Sequence, residues 1–202
     1  SDMCGPMRNV HIYPSAFTHE SRILKEAKTL RAHLGFTEIM LVGVRAKGLL
    51  PSERVDDATT IFRLGPSKGA GRLAKLVMHL FWCIHVFFFV LRQRPACVNC
   101  HSLPVLPIGV AIKLLTGAKL VYDAHELETE TSGLSGVRKT ASKLVERLFI
   151  RIPDLVVLVG PGIERWYRES YGISNTVVIL NVPRYSRAAR GAVLRERLSI
   201  PS

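Results

Sequence analysis

At 202 residues and 48% hydrophobic content the chain can bury one substantial core, and a single domain is expected. Four cysteines in a chain of this length exclude a disulfide scaffold and point to a reducing setting. An excess of 28 Lys and Arg over 16 Asp and Glu, formally +12, favours an anionic partner, whether nucleic acid, an acidic lipid surface or a phosphorylated substrate.

The first residues, SDMCGPMRNVHIYP, hold no basic stretch leading into an apolar run and no small-residue cleavage site, so they do not read as a signal peptide. A cytoplasmic location is expected. Alternation over Arg8–Tyr13 puts Val10 and Ile12 on one face of a first strand. Glu20–Leu34 then shows helical spacing, with Ile23, Leu24, Ala27 and Leu30 on one stripe, and Gly35 ends it. IMLVGV (39–44) reads as a buried strand, the polar stretch carrying Pro51 as a loop, and Thr59–Leu64 as a third strand. Leu73–Leu91 is long enough only for a helix, and Cys83 within it behaves as a small hydrophobe. Beyond it come ACVNC as a strand, Val105–Leu115 as a helix closed by Gly117, and KLVYDA as a strand. Gly136–Ile150 follows as a helix, DLVVLVG as a strand, Gly162–Tyr171 as a helix closed by Gly172, and TVVILN as a strand. Strands rich in Val, Ile and Leu that alternate with helices specify an α/β fold: a doubly wound, mostly parallel, Rossmann-like sheet with helices on both faces. Such sheets bind ligands at the carboxyl ends of their strands. The segments to read are therefore Pro14–Glu20, Cys100–Leu103, Asp123–Glu130, Gly160–Gly162 and Asn181–Arg184.

Cys97 to His101, CVNCH, matches the C-x-x-C-H spacing by which haem is held through two thioethers and an axial histidine. The two cysteines lie at the start and end of a short buried strand, so its two-residue period sends them to opposite faces and away from any one porphyrin edge. Zinc fares no better, since no second C-x-x-C or H-x-x-x-H occurs, and no metal site is expected. What remains of the motif is Asn99, Cys100 and His101 at a strand end, facing the crevice.

The run LVMHLFWCIHVFFFVL (76–91), flanked by Lys75 and Arg92, keeps three readings open. It is shorter than the roughly twenty residues of a membrane span and contains His79 and His85. A buried helix covering the sheet fits the run. So does a helix whose Trp82 and phenylalanines enter a membrane interface while basic flanks meet acidic lipid. His79 and His85, six apart, do not share a helical face as ligands four apart would. Arg138, Lys139, Lys143, Arg147 and Arg151 make one basic helix, and Arg184 to Arg197 contributes five more arginines. Nucleic acid is not expected as a partner, because aromatic platforms are not interleaved with these charges.

Three stretches, ESRILKEAKTLRAHLG, RPACVNCHSLPVLPIGVAIKLLTGAKLVYDAHELETE and IPDLVVLVGPGIERWYRESYGISNTVVILNVP, closely resemble the N-terminal half of family-four, GT-B type glycosyltransferases. In that family an ES-R-xx-K-EA helix, a strand ending in polar residues, a Y-D-x-H-E strand end and a Y-G helix before a V-x-x-N-x-P strand come in this order. The likeness runs through nearly the whole chain. It departs where YPSAFTHES stands in place of a glycine-rich phosphate loop, and where Gly160-Pro161-Gly162 replaces a serine-led helix start. The resemblance implies one half of a GT-B fold: residues 1–183 as the N-terminal, acceptor-side domain and 184–202 as a linker toward a C-terminal domain that holds the nucleotide-sugar. No G-x-G-x-x-G or paired-glutamate signal of a nucleotide half occurs, so no cofactor is expected on this chain and no transfer by it alone. The implied partners are a nucleotide-sugar donor, a lipid-linked or polysaccharide acceptor, an anionic membrane surface at the cytoplasmic face, and the chain's own C-terminal domain. The implied reaction is retaining transfer in the building of a cell-envelope glycolipid or polysaccharide such as lipopolysaccharide or capsule. The competing readings are a non-catalytic basic module for membrane or nucleic acid, and half of a GT-B nucleotide-sugar epimerase.

Asp123-Ala124-His125-Glu126 is the strongest local cluster, because a strand ending in several polar side chains wastes burial unless they serve the crevice. His125, Glu126 and Asp123 are the candidate catalytic residues, and the resemblance implies that His125 meets the donor sugar near the reacting carbon. In the competing reading Asp123 and His125 cap the next helix. Ser15, Thr18, His19 and Glu20 follow the first strand and are candidates to meet donor phosphates or the acceptor hydroxyl. Ser15 or Thr18 is also expected to cap the helix, with Glu20 in its first turn. Asn99, His101, Gly160 and Asn181 complete the candidate substrate-binding set.

Overall fold

In the computed structural model, which describes residues 6–66, 72–125, 129 and 136–182, eight strands form one sheet in the order β3-β4-β2-β1-β5-β6-β7-β8. The strands are β1 (Arg8–Ile12), β2 (Glu38–Val44), β3 (Ser52–Arg54), β4 (Thr59–Leu64), β5 (Cys97–Cys100), β6 (Lys119–Ala124), β7 (Leu155–Leu158) and β8 (Thr176–Val178). The helices are α1 (Ser21–Leu34), α2 (Arg72–Gln93), α3 (Leu106–Thr116), α4 (Gly136–Phe149) and α5 (Pro161–Tyr171). Pairing is parallel throughout except between β3 and β4. The expected doubly wound α/β fold is therefore present, and its strand order reverses at β1, between β2 and β5.

Two local expectations need correction. The loop expected around Pro51 contains β3, whose three residues are all exposed and so show no apolar alternation. Its antiparallel pairing covers the edge of β4. The run TVVILN is strand only through Val178; Ile179 donates its N–H to Leu158 O at 2.8 Å, and the chain then leaves the sheet.

Alternation along the strands makes two different faces. Val10, Ile12, Val98, Leu120, Tyr122 and Leu158 belong to a continuous core under α2, α3, α4 and α5. α3 approaches this face closely because residue 109 is glycine: a Cβ there would lie 2.4 Å from Cys100 Sγ. The opposite face packs Ile39, Leu41 and Ile61 against Phe17 and, from α1, Ile23 and Ala27. Along the central strands that same face turns polar, presenting Asn9, His11, Asn99 and Asp123, all buried.

Cys97 and Cys100 fall on opposite faces, as the two-residue period requires: Cys97 registers with Asn9 and Cys100 with Ile12. Both are buried, and burial pushes both thiols up to about 12.

The long apolar run is one helix with two apolar sides. Trp82, Val86 and Val90 recur every fourth residue and are buried against the sheet, with Trp82 Nε1 donating to Gly43 O at 2.9 Å. Leu76, Val77, Leu80, Phe81, Ile84 and Phe88 are exposed on the other side. Trp82 therefore belongs to the core, not to the interfacial set in which the sequence reading grouped it with the phenylalanines.

Candidate functional site

At the carboxyl end of the sheet the polar face converges on Asp123, which has no exposed surface. Arg22 of α1 donates Nη2 to Oδ1 at 3.1 Å and Nε to Oδ2 at 3.3 Å. Oδ2 also meets His101 Nδ1 at 3.2 Å and His125 Nε2 at 3.0 Å. Burial alone would raise the Asp123 carboxyl, but the hydrogen bonds from His101 and His125 outweigh it and hold the group well below the usual carboxylate range.

An ionised carboxylate only accepts, and this fixes the neighbouring rings. His101 carries its proton on Nδ1 and His125 on Nε2. His101 Nε2 is then a lone pair that accepts from His11 Nδ1 at 2.8 Å. The His11 and His101 rings lie within 10° of parallel with centroids 5.1 Å apart, so with that N···N contact they meet edge to edge and not face to face. His11 Nε2, at the blind end of the chain, is left as a buried lone pair without a partner among the described residues. Burial lowers the pKa of both rings below 6.5 and keeps them neutral; His101 reinforces this for His11, while Asp123 works against it.

Glu26 lies one turn beyond Arg22 on the same helix. Burial first, and then the charge of Asp123, push its carboxyl up to about 8 against the opposing charge of Arg22, so at neutral pH it meets Asp123 as an acid. Two triplets, His11 with Glu26 and His101, and His101 with Asp123 and His125, bring potential metal-ligand atoms within 4.8 Å of one another. Within them His101 Nε2 and Asp123 Oδ2 are already engaged in the array, His11 Nε2 is not, and the Arg22 guanidinium supplies positive charge beside Asp123. His125 alone among the three groups bonded in line reaches the surface, with its side chain 28% exposed against none for His101 and Asp123. Tyr13 tilts over its ring at 5.8 Å and stands edge-on to His101.

The segment after β1 folds on itself. Ser15 Oγ donates to Glu20 Oε1 and accepts from Phe17 N at 2.9 Å, while Glu20 Oε2 accepts from His19 N at 2.8 Å. Phe17 holds a left-handed backbone (φ 54°) that costs a side-chain-bearing residue energy, and its buried ring anchors the turn. The segment lies flush on β2 because position 43 is glycine: a Cβ there would stand 2.1 Å from Ser15 O. The expected cap is not made. α1 starts at Ser21 with Glu20 in the capping position and no side-chain cap bond, because the Ser15 hydroxyl is committed to the turn.

Beside the array lies a cleft of about 340 Å³ between α1, the strands β5, β6 and β7, and the segment after β8. Arg22, Glu26, Asn99, Val157, Leu180 and Asn181 are among its walls. Arg22 joins array to cleft, since its Nη1 donates to Ile179 O at 3.2 Å while its other nitrogens hold Asp123.

Residues 20–183 match the family model for the glycosyl transferase 4-like domain. The chain belongs to this family. Solved structures repeat its fold. A sucrose-phosphate synthase from Thermosynechococcus elongatus is similar at a TM-score of 0.75 and 12% identity, over 96% of this chain and 53% of that one. HepE of Anabaena, in complex with UDP-glucose, gives 0.59 at 15% identity over 96% and 50%. A glycosyltransferase from Rickettsia africae gives 0.57 at 14% identity over 98% and 51%. The chain thus spans about half the length of these proteins. No curated protein matches it.

Within this glycosyl transferase 4-like domain, the structure brings His125, Asp123 and His101 into one hydrogen-bonded unit and sets Asn99 with Asn181 in the adjoining cleft. Asn99 is also tied to Asn9 Oδ1 at 2.9 Å. Ser15 and Glu20 form a separate knot, and Thr18 and His19 are exposed beside it. Gly160 precedes α5, which begins at Pro161, and its carbonyl accepts from Glu164 N at 3.0 Å. Glu126, Arg184 to Arg197 and the expected linker lie outside the described residues. The sequence reading missed His11, Arg22 and Glu26.

Proposed function

We propose that this chain is the acceptor-side half of a retaining glycosyltransferase, which moves a sugar from a nucleotide-sugar to a cell-envelope glycolipid or polysaccharide at the cytoplasmic face of a membrane. In this reading residues 1–183 make the half-enzyme domain and a C-terminal domain holds the donor. The reading is supported chiefly by the convergence of Arg22, His101 and His125 on one buried carboxylate at the strand ends, inside the family match. Transfer breaks the bond from the anomeric carbon to the diphosphate oxygen, whose electron pair leaves with the nucleotide. It joins that carbon to an acceptor oxygen, whose proton passes to the departing diphosphate oxygen. Positive charge grows on the sugar as the first bond stretches. His125 meets it with its Nε2–H held by Asp123 and its Nδ1 edge turned away from that carboxylate, so a fixed negative charge stands one ring behind. Asp123 and His101 act as positioning residues, and Glu126 is assigned beside His125. Ser15, Thr18, His19, Glu20 and Gly160 are assigned to the donor side, Asn99 and Asn181 to the acceptor.

In the full-length enzyme, His125→Ala is expected to lower kcat about 100-fold or more while Tm stays within about 2 °C of the parent. Retained activity with a melting temperature several degrees lower would make His125 a structural cap and end the assignment.

A further inference from the structure

The outer side of α2 carries more exposed large apolar side chains than any other described element. Leu76, Val77, Leu80, Phe81, Ile84 and Phe88 are between 43% and 64% exposed. At 3.6 residues per turn these side chains fill an arc of roughly 140°, and Phe87 and Leu91 fall within it, so the arc contains no polar residue from Leu76 to Leu91. Leu114 and Leu115 are exposed at the end of α3, which packs against α2. A solvated helix face would carry charges here.

Every charged residue from Lys68 to Arg94, the stretch that contains α2, is basic. Between Asp57 and Asp123 the sequence has no acidic residue and eight Lys or Arg, of which Arg63, Lys113 and Lys119 are paired with Glu53 and Asp154. Lys75 at one end of the exposed stripe, and Arg92 and Arg94 at the other, are exposed, and none has an ion-pair partner among the described residues. Apolar side chains framed by unpaired cations match a bilayer with anionic headgroups, in which acyl chains receive the stripe and phosphates the ends.

We infer that α2 is a monotopic docking helix that lies in the plane of an anionic lipid surface. Ala74–Gln93 is long and apolar enough to cross a membrane, but the side bearing Trp82, Val86 and Val90 is packed on the sheet and pinned through Gly43 O, so the folded domain rests on the bilayer without spanning it. α2 follows β4 from the carboxyl end of the sheet, and its last residue, Gln93, accepts from Arg8 at the start of β1. A docked helix therefore runs the full height of the domain and lays the strand-end crevice beside the headgroups. The inference gives the membrane part of the proposed function a surface, and lipid binding needs no donor sugar, so its failure would leave the transferase reading standing.

The experiment is cosedimentation of the chain with vesicles of phosphatidylcholine alone, or mixed equally with phosphatidylglycerol, at low and high salt. Binding to the mixed vesicles is expected, weakened by salt, with Phe81→Glu/Ile84→Glu reducing it about tenfold or more. Both side chains are exposed, so the circular dichroism spectrum and Tm of this variant should match the parent. Lys75→Glu/Arg92→Glu provides a second test that leaves the apolar stripe intact, and it should lower binding to the mixed vesicles alone. Equal binding to both lipids, no binding to either, or undiminished binding by the apolar variant overturns the inference. So does a stable lipid-free dimer that Phe81→Glu/Ile84→Glu dissolves, since the stripe would then seat a second copy of the chain.

Discussion

The two faces of the central sheet are made from the same strands, one residue out of step. Val10 and His11, Val98 and Asn99, and Tyr122 and Asp123 are sequence neighbours, all buried. The first of each pair packs as part of the apolar core under α2 to α5; the second joins a polar layer under α1. The apolar face is stabilised by area removed from water, at about 25 cal/mol per Å², a term that tolerates small shifts and ignores pH. The polar face stands only while each buried donor and acceptor is matched, because an orphaned charge there costs several times what a made hydrogen bond contributes. Register separates the two, so a reactive layer coexists with an intact core in the same strands.

Asp123→Ala would break the comparison most severely, since it orphans Arg22, His101 and His125 together. A loss of about 3–5 kcal/mol is expected from urea midpoints; a loss below about 1 kcal/mol would mean that the array behaves as a solvated surface cluster. On the apolar face the sharper probe adds volume. Gly109→Ala places a Cβ 2.4 Å from Cys100 Sγ and 2.7 Å from Leu120 Cδ1, and is expected to cost about 1–3 kcal/mol. Cys100→Ala in the same chain should recover part of that loss, and a double-mutant cycle with no coupling would show that α3 simply shifts outward.

The smallest effect is one of pH, and only the polar face should show it. Below 6.5 the unfolded chain binds protons at His11 and His101 that the folded chain refuses, so stability falls as pH drops through that value. Asp123, depressed in the fold, adds a further loss as pH falls below 3.8. Glu26 has the opposite sign: its raised carboxyl favours the fold at low pH, and that contribution is lost as pH rises from 4.5 through about 8. Melting temperatures measured across these ranges should therefore fall on both sides of a maximum, and His11→Asn should flatten the limb below 6.5. Val98→Ala should lower the whole curve without changing its shape. A flat profile from about pH 7 to 5 would contradict the buried neutral histidines.

Much of the fold was legible in the chain. Thr59–Leu64 and Lys119–Ala124 read as strands with the bounds they have, because TTIFRL and KLVYDA are short, rich in β-branched, aromatic and aliphatic residues, and bounded by Gly65 and Gly117. β3 was not legible, since a strand of three exposed residues held only by its edge carries no pattern. In the candidate site, residues that end strands could be read, which is how Asp123, His101 and Asn99 were singled out. His11 drew no reading, since the alternation assigns only Val10 and Ile12 to a face of the first strand. Yet β1 lies between β2 and β5, where neither face is outward, so its alternation of Asn9 and His11 with Val10 and Ile12 was itself the signal. Arg22 and Glu26, four apart beside the stripe of Ile23 and Ala27, carried a second one. Ser15 looked like a cap by residue type, but its distance from Ser21 committed it to a local turn instead.

Gly43 shows why such turns resist reading from their own residues. The path of the segment after β1 depends on an empty position in the neighbouring strand, nearly thirty residues later in the chain. The shape of that segment is therefore not portable. A chimaera that receives YPSAFTHES will reproduce it only if the recipient also has no side chain where Gly43 stands, so exchange of loops between relatives at this rim is governed by a strand that no loop alignment would include.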